Sequence, residues 1–278
     1  MSLVVAFQGI QGANSEIAIR QHFGGPVDVY PCHDLNELFH ALQTNKVSNA
    51  LLPVENALAG SVNGAYELLM DYDFVVQAEE ILHVHHALVA LPGTVLADIQ
   101  FVRSHPQALA QCDRFLKRHS MTPVPWHDTA GASYDLSQDH APNSGALSST
   151  LAAQMYGLEV LATEVEDVAF NYTRFFLLGH EAVERAERNK TSIVFATRNR
   201  PSALYECLGE FATRGINLTK IESRPRRNRP WEPVFFLDFE GHWQDEPCKE
   251  ALIRLVQKAS FVKMLGSYPA AKTDSVGI

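Results

Sequence analysis

The chain has 278 residues, more than one hydrophobic core usually organises, which predicts two domains. Its 46% hydrophobic and 20% charged residues place it among ordinary globular proteins and exclude the disordered and fibrous classes. A formal net charge of -9 argues against a general affinity for nucleic acid or anionic membranes and favours small-molecule partners.

Leu3–Phe7 is a short apolar run with no basic residue before it and no small-residue cleavage site after it, so it predicts a first strand and not a secretion signal. The loop Gly9–Gly12 then leads into a predicted helix over Ser15–Phe23. Asp34-Leu-Asn-Glu37 forms a capping box ahead of Leu35, Leu38, Phe39 and Leu42 at helical spacing. Ala50–Pro53 predicts the next strand, and Val62, Ala65, Tyr66 and Leu69 mark one face of another helix. From Phe74 to Ala90 the pattern changes to long β-rich runs, as expected where a chain crosses into a second sheet. Ile99–Arg103 predicts a strand, and Ser104-His-Pro-Gln107 reads as a capping box for a helix continuing through Ala108–Arg118. Strand and helix pairs follow at Met121–Ser137 and Asn143–Gly157, and a strand at Arg174–Leu178 closes a region that reads as α/β on largely parallel strands.

Gly179–Lys190 is charged and nearly devoid of large apolar residues, which predicts a linker and a domain boundary. Beyond it come strand Ser192–Thr197, helix Pro201–Arg214 with Leu204, Leu208 and Phe211 on one face, strands Leu218–Ser223 and Val234–Glu240, helix Glu246–Ala259 and strand Val262–Tyr268. That order, βαββαβ, is a ferredoxin-like unit. Residues 270–278 read as a loose tail. No run approaches the roughly 18 apolar residues of a spanning helix, and a cytoplasmic protein is expected.

The cysteines Cys32, Cys112, Cys207 and Cys248 form no C-x-x-C pair and predict reduced, buried thiols. In the cluster His83-Val-His85-His86, a strand would put His83 and His85 on one face and His86 on the other, with no further ligand nearby. No metal site is predicted, although one of the three could line a cleft. Gly9-Ile-Gln-Gly12 lacks the residues of a nucleotide loop but precedes a helix N-terminus that, with Ser15, suits a carboxylate. Glu55-Asn56, Gln107, Thr129, Ser148-Ser149 and Asn171-Tyr-Thr-Arg174 all fall at element boundaries, where α/β proteins bind ligands. Each alone reads equally as a solvated turn. The arginines Arg224, Arg226, Arg227 and Arg229 read as a hairpin tip or a small-anion site.

Taken in order, GIQGANSE (9–16), PVENALAGSV (53–62), VHHAL (84–88), SHPQALAQC (104–112), DTAGAS (128–133), LAAQMYGL (151–158), NYTRF (171–175) and NLTKIESRP (217–225) resemble the prephenate dehydratases that carry a C-terminal ACT regulatory domain, monofunctional enzymes of phenylalanine biosynthesis. The resemblance implies a catalytic domain over 1–180, similar to a type II periplasmic binding protein, with one subdomain of about 1–75 and 160–180, another of about 76–159, and the site between them. It implies an ACT domain over 190–270, a homodimer or homotetramer, and no metal or cofactor. The implied reaction removes carbon dioxide and hydroxide from prephenate, giving phenylpyruvate. Aromatisation drives it, so orientation and hydrogen-bond help to the departing hydroxyl suffice.

By this resemblance Thr173 is the donor to that hydroxyl and Arg174 an anion partner or organiser. Glu55, Asn56, Ser15, Gln107, Thr129 and Asn171 complete the expected cleft, Glu55 meeting a substrate carboxylate only if protonated or paired. Ser202, Ala203, Leu204, Asn217, Glu222, Ser223, Arg224 and Pro225 are the expected L-phenylalanine effector residues. Ser202 stands where the family has glycine, and Ile10, Ala13 and Ala57 replace the family's proline, threonine and serine. These departures leave open arogenate, the amino analogue, as substrate. They also leave open a non-enzymatic amino-acid-binding sensor.

Overall fold

The strands on either side of the expected cleft run further than the sequence predicts, which carries Asn56 and Thr173 out of turns and into sheet. The computed structural model describes residues 3–62, 64–226 and 229–271. In chain order these form β1 (Val4–Gln8), α1 (Asn14–Phe23), β2 (Asp28–Cys32), α2 (Leu35–Gln43), β3 (Asn49–Asn56), β4 (Gly60–Ser61), α3 (Ala65–Asp71), β5 (Val75–His83) and β6 (Ala87–Ala90). Next are β7 (Phe101–Ser104), α4 (Pro106–Gln111), α5 (Asp113–Arg118), β8 (Thr122–Pro125), α6 (Thr129–Asp139), β9 (Ser144–Ser148), α7 (Thr150–Met155), β10 (Glu159–Ala162) and β11 (Tyr172–Gly179). The last are β12 (Asn189–Ala196), α8 (Ala203–Ala212), β13 (Leu218–Arg226), β14 (Arg229–Glu240), α9 (Glu246–Lys258) and β15 (Phe261–Pro269).

The fold is mixed α/β on three sheets. The first has the order β2-β1-β3-β11-β5, with β4 paired to β3, and its β1, β2 and β3 run parallel. In the second, β10-β6-β9-β7-β8, the pairs of β7 with β8 and β9 are parallel and those of β6 antiparallel. Both faces of this sheet are buried. Leu88 and Ala90 of β6 enter a cluster with Leu109, Cys112 and Leu116, while the alternating Ala87 and Val89 join Ala132, Leu136 and Ala153 on the other side. That two-sided burial explains why β6 reads as an unbroken apolar run. The third sheet is antiparallel in the order β13-β14-β12-β15, the ferredoxin-like arrangement, and Ile193, Phe195, Leu237 and Phe239 pack against Phe211, Cys248 and Leu255 of α8 and α9.

By contact density the chain forms two compact units, Met1–Asn63 with Glu80–Phe175 and Gly64–Glu79 with Phe176–Ile278. In the second unit, Lys263 Nζ donates to Met70 O (3.0 Å) and Tyr72 O (2.7 Å), capping the C-terminus of α3. Lys190 pairs with the buried carboxylate of Glu79 at 2.8 Å. The expected linker is shorter than predicted, since Gly179 ends β11 and Asn189 begins β12. Residues 227–228 of the arginine segment and 272–278 of the expected tail lie outside the described residues. Arg224 and Arg226 fall within β13, so this part of the segment is strand and not loop.

Two local expectations change. Ser104 does not cap α4: it ends β7, and its buried hydroxyl donates to Leu147 O, while His105 Nδ1 accepts the Gln107 N–H. The helix expected through Arg118 breaks at Cys112, because Asp167 takes the Arg114 N–H with its carboxylate and gives its own N–H to Gln111 O (2.7 Å). The capping box at Asp34 forms, but Glu37 reaches back to the His33 N–H one residue earlier. All four cysteines are buried and free, as expected. No described helix is long and apolar enough to cross a membrane.

Ser202 precedes α8 with left-handed backbone, φ 63° and ψ 0°. A Cβ costs about 1–2 kcal/mol there, whereas glycine adds about 0.5–1 kcal/mol of chain entropy to the unfolded state. Ser202→Gly is therefore expected to stabilise the protein by about 0.5–1 kcal/mol, seen as a higher urea midpoint. A lower midpoint would mean that the serine side chain more than offsets the backbone cost.

Candidate active site

The Gly9–Gly12 loop places the start of α1. Gly12 has φ 85°, and a Cβ there would sit 2.8 Å from Ala152 Cα, so no other residue fits. Its N–H is taken by Glu16 Oε2 (2.8 Å) and its carbonyl by the Ser149 hydroxyl (2.6 Å). Ala13, the N-cap of α1, provides no side-chain cap. The amides of Asn14 and Ser15 have no acceptor among the described residues, and both residues line a cavity of about 250 Å³.

Every residue lining that cavity belongs to the first unit. Its walls come from the starts of α1 (Asn14, Ser15), α4 (Gln107) and α6 (Thr129), the end of β3 (Asn56), and the start of β11 (Thr173) with Asn171 before it. Asp128 caps α6 through Gly131 N–H, which leaves the Thr129 and Ala130 amides toward the helix mouth.

At its centre is a chain of amides with one sense of donation. Asn56 Oδ1 accepts the N–H groups of Leu58 (3.1 Å) and Ala59 (3.0 Å), which fixes the amide so that Nδ2 points the other way. That Nδ2 donates to Thr173 Oγ1 (3.0 Å) and Asn171 Oδ1 (2.9 Å), and also lies 3.2 Å from Tyr172 O. Asn171 Nδ2 passes the pattern on to Gln111 Oε1 (3.1 Å), which also lies 2.9 Å from His86 Nε2. With Oε1 an acceptor, His86 must carry its proton on Nε2. Thr173 Oγ1 is an acceptor from Asn56, and its own proton has no acceptor among the described residues, so it is left for a ligand in the cavity.

Of the expected cleft residues, Ser15, Asn56, Gln107, Thr129, Asn171 and Thr173 line this one cavity. Glu55 and Arg174 do not. Arg174 lies between Thr173 and Phe175, which both line the cavity, so strand alternation turns it to the other face of β11. Glu55 stands opposite Ser61 in the β3–β4 pair. The network also includes Gln111, which the sequence reading did not single out, and His86, one of the three clustered histidines, of which one is expected to line a cleft. Gln111 was signalled by its position one turn after Gln107 on α4, and His86 by its place in the histidine cluster. His83 and His85 do lie together, their rings 4.0 Å apart, while His86 is buried in the cavity wall. Among the described residues no group of three or more His, Cys, Asp or Glu is arranged to hold a metal.

Burial holds His86 below the ordinary imidazole pKa, against the opposing effects of Gln111 and Glu166. Burial alone would raise Glu166, but the His86 and Glu166 N–H groups and the His85 ring outweigh it and lower its pKa. Glu166 thus ties His86 N (2.9 Å) to His85 Nδ1 (2.8 Å).

In the second unit the expected effector residues divide. Glu222 and Arg224 share a face of β13 and pair at 2.7 Å, Lys220 reaches Glu222 at 3.1 Å, and both cations lie over the Tyr66 ring. Ser223 and Pro225 alternate to the exposed face. Asn217 accepts the Glu240 N–H through its carbonyl, and Ser202-Ala203-Leu204 opens α8, Leu204 packing on the core.

A hydroxyl and amide cavity on two α/β sheets, followed by a ferredoxin-like sheet, defines a small-molecule enzyme with an added C-terminal domain. Residues 5–183 match the family described as prephenate dehydratase. The chain is 38% identical over 280 residues to arogenate dehydratase/prephenate dehydratase 2 of Arabidopsis thaliana, covering 97% of this chain and 73% of that protein. A solved prephenate dehydratase from Arthrobacter aurescens, in complex with L-Phe, superposes with a TM-score of 0.88 at 31% identity, covering 96% of this chain and 90% of that one. Another solved structure, described as GqqA, a novel type of quorum quenching acylase, gives 0.89 at 34% identity, with 96% and 98% covered. The chain belongs to the prephenate dehydratase family and is a lyase.

His86 should leave a mark on acid stability. Its folded pKa lies below the unfolded value of about 6.5, so the unfolded chain takes up the proton more readily. The stabilisation is intact above that pH and is lost progressively as pH falls from about 6.5 toward the folded value. Urea midpoints between pH 7.5 and 5 should fall more steeply for the unaltered protein than for His86→Gln. Parallel slopes would refute it.

Proposed function

We propose that this enzyme converts prephenate to phenylpyruvate, in L-phenylalanine biosynthesis, by coupled loss of carbon dioxide and of the ring hydroxyl. The observation that carries the reading is the Thr173 hydroxyl. Asn56 donates to its oxygen, and its proton, with no acceptor among the described residues, is free to bond a ligand. A hydrogen bond from that proton stabilises negative charge as it gathers on the departing hydroxyl oxygen. A threonine hydroxyl is too weak an acid for full proton transfer, but aromatisation makes a strong acid unnecessary.

Among the described residues no lysine or arginine lines the cavity. The dianion is held instead by the N-terminal amides of α1 and α6, ten and eleven residues long, whose dipoles favour negative charge. Such neutral donors suit decarboxylation, since a carboxylate locked in an ion pair with arginine would be harder to lose. Gln107 and Gln111 add amide donors. Asp128, the one acid among the described lining residues, already caps α6 through the Gly131 N–H, and its charge opposes a carboxylate at that end, so α1 is the stronger of the two anion sites.

We read the C-terminal unit as an ACT domain through which L-phenylalanine feeds back, with Glu222–Arg224 and the start of α8 as its contacts. The relative solved with L-Phe supports this reading. A cytoplasmic homodimer or homotetramer belongs to the same proposal. Arogenate is the alternative substrate, a reading supported by the name of the Arabidopsis relative and by the uncapped Ala13 position. Amide hydrolysis, as in the acylase neighbour, fits less well, because an amide holds Thr173 where a nucleophile would need a base.

Purified protein should turn over prephenate without added metal, and the ratio of kcat/KM on prephenate to that on arogenate ranks the two. Thr173→Ala should lose about 100-fold or more in kcat while keeping its unfolding midpoint, and Thr173→Ser should keep most of the rate. Full activity in Thr173→Ala, or no turnover of either substrate by the unaltered protein, would sink the reading.

A further inference from the structure

A second cavity, of about 460 Å³, lies wholly within the C-terminal unit, between Val75, segment 182–185, turn 242–244 and residues 264–267 of β15. None of the residues assigned above to substrate or to L-phenylalanine lines it. Its walls are closely fitted. A Cβ on Gly266 would stand 2.3 Å from Val76 O, and one on Gly241, at φ 110°, would stand 2.7 Å from Cys248 Sγ. Glycine at the first position lets β15 lie directly on β5, and at the second it lets the chain fold His242 inward, leaving that residue 5% exposed.

His242 is fixed from two sides. Its N–H goes to Asp245 Oδ2 (2.9 Å), and its Nδ1 accepts the Gln244 N–H (3.2 Å). The neutral ring therefore carries its proton on Nε2, which has no acceptor among the described residues; burial favours that neutral form by lowering the pKa. Asp245 Oδ1 meets Arg185 at 2.6 Å and so brings the guanidinium to the same cavity. Glu184 is the acid on that segment, and it is exposed. The same cavity is lined by Trp243, 42% exposed with its backbone N–H held by Ser267 Oγ, and by Met264, 41% exposed, together with Val75, Val183 and Leu265.

We propose that this cavity is a second small-molecule site, which takes an aromatic monocarboxylate with its ring on Trp243 and Met264 and its carboxylate on His242 Nε2 and Arg185. An indole and a thioether favour a flat apolar group. One neutral donor and one arginine already shared with Asp245 match a single negative charge better than a phosphate. The volume is that of an ordinary ligand pocket.

Phenylacetate is a suitable probe, titrated calorimetrically into the full chain with benzyl alcohol and acetate as controls. Saturable binding is expected, weakened about tenfold or more in Trp243→Ala and severalfold in Arg185→Gln, with each control at least about tenfold weaker. Turnover by both variants should be unchanged, since neither residue touches the catalytic cavity, so the result stands or falls apart from the substrate assignment. Arg185 is a surface side chain, so its variant gives an answer even if Trp243→Ala fails to fold. No saturable binding, or binding that survives substitution of Arg185 and of Trp243 in folded protein, would overturn the proposal.

Discussion

Two backbone amides decide the chemistry of the first unit. By donating to Asn56 Oδ1, Leu58 and Ala59 fix which end of a near-symmetric side chain faces Thr173. If the amide were turned over, its oxygen would face the threonine and draw the hydroxyl proton to itself, and no donor would remain for a ligand. The same choice propagates through Asn171 to Gln111 and sets the tautomer of His86. An uncharged, directional network of this kind costs little to bury, because its amides satisfy one another and only the Thr173 proton is kept back for a ligand.

Much of the fold was legible because its periodicities are strong. The α/β alternation, the βαββαβ order and most elements could be read from apolar spacing, and the capping box at Asp34 forms. What failed did so for local reasons. The sequence ended one strand at Pro53 and began another at Arg174, leaving Glu55-Asn56 in a turn and the Thr173-Arg174 pair at an element boundary, where either neighbour could face a ligand. Once β3 and β11 extend across these residues, neighbours part: Asn56 and Thr173 face the cavity, Glu55 and Arg174 do not. The break at Cys112 was illegible for a different reason. It depends on Asp167, more than fifty residues away, and no local propensity encodes that bond.

The site also uses charge sparingly. Helix N-termini offer anion binding without a buried countercharge, and buried ion pairs often return little after their desolvation. In the second unit, several charged residues are tied to one another or to ring faces. Lys220 and Arg224 share Glu222 and the Tyr66 ring, and Lys190 meets the buried Glu79.

The break that ends α4 makes that helix a ruler. Gln107 and Gln111 stand four residues apart, about 6 Å along its axis, and Gln111 is held at the far end by the bond from Asp167. One residue added or removed between them would rotate the second glutamine by about 100° and carry it off the cavity, while the far anchor stays in place. Length, more than composition, is what this short helix must conserve: its alanines could be exchanged for other small residues, but an insertion there would dismantle the network from its distal end.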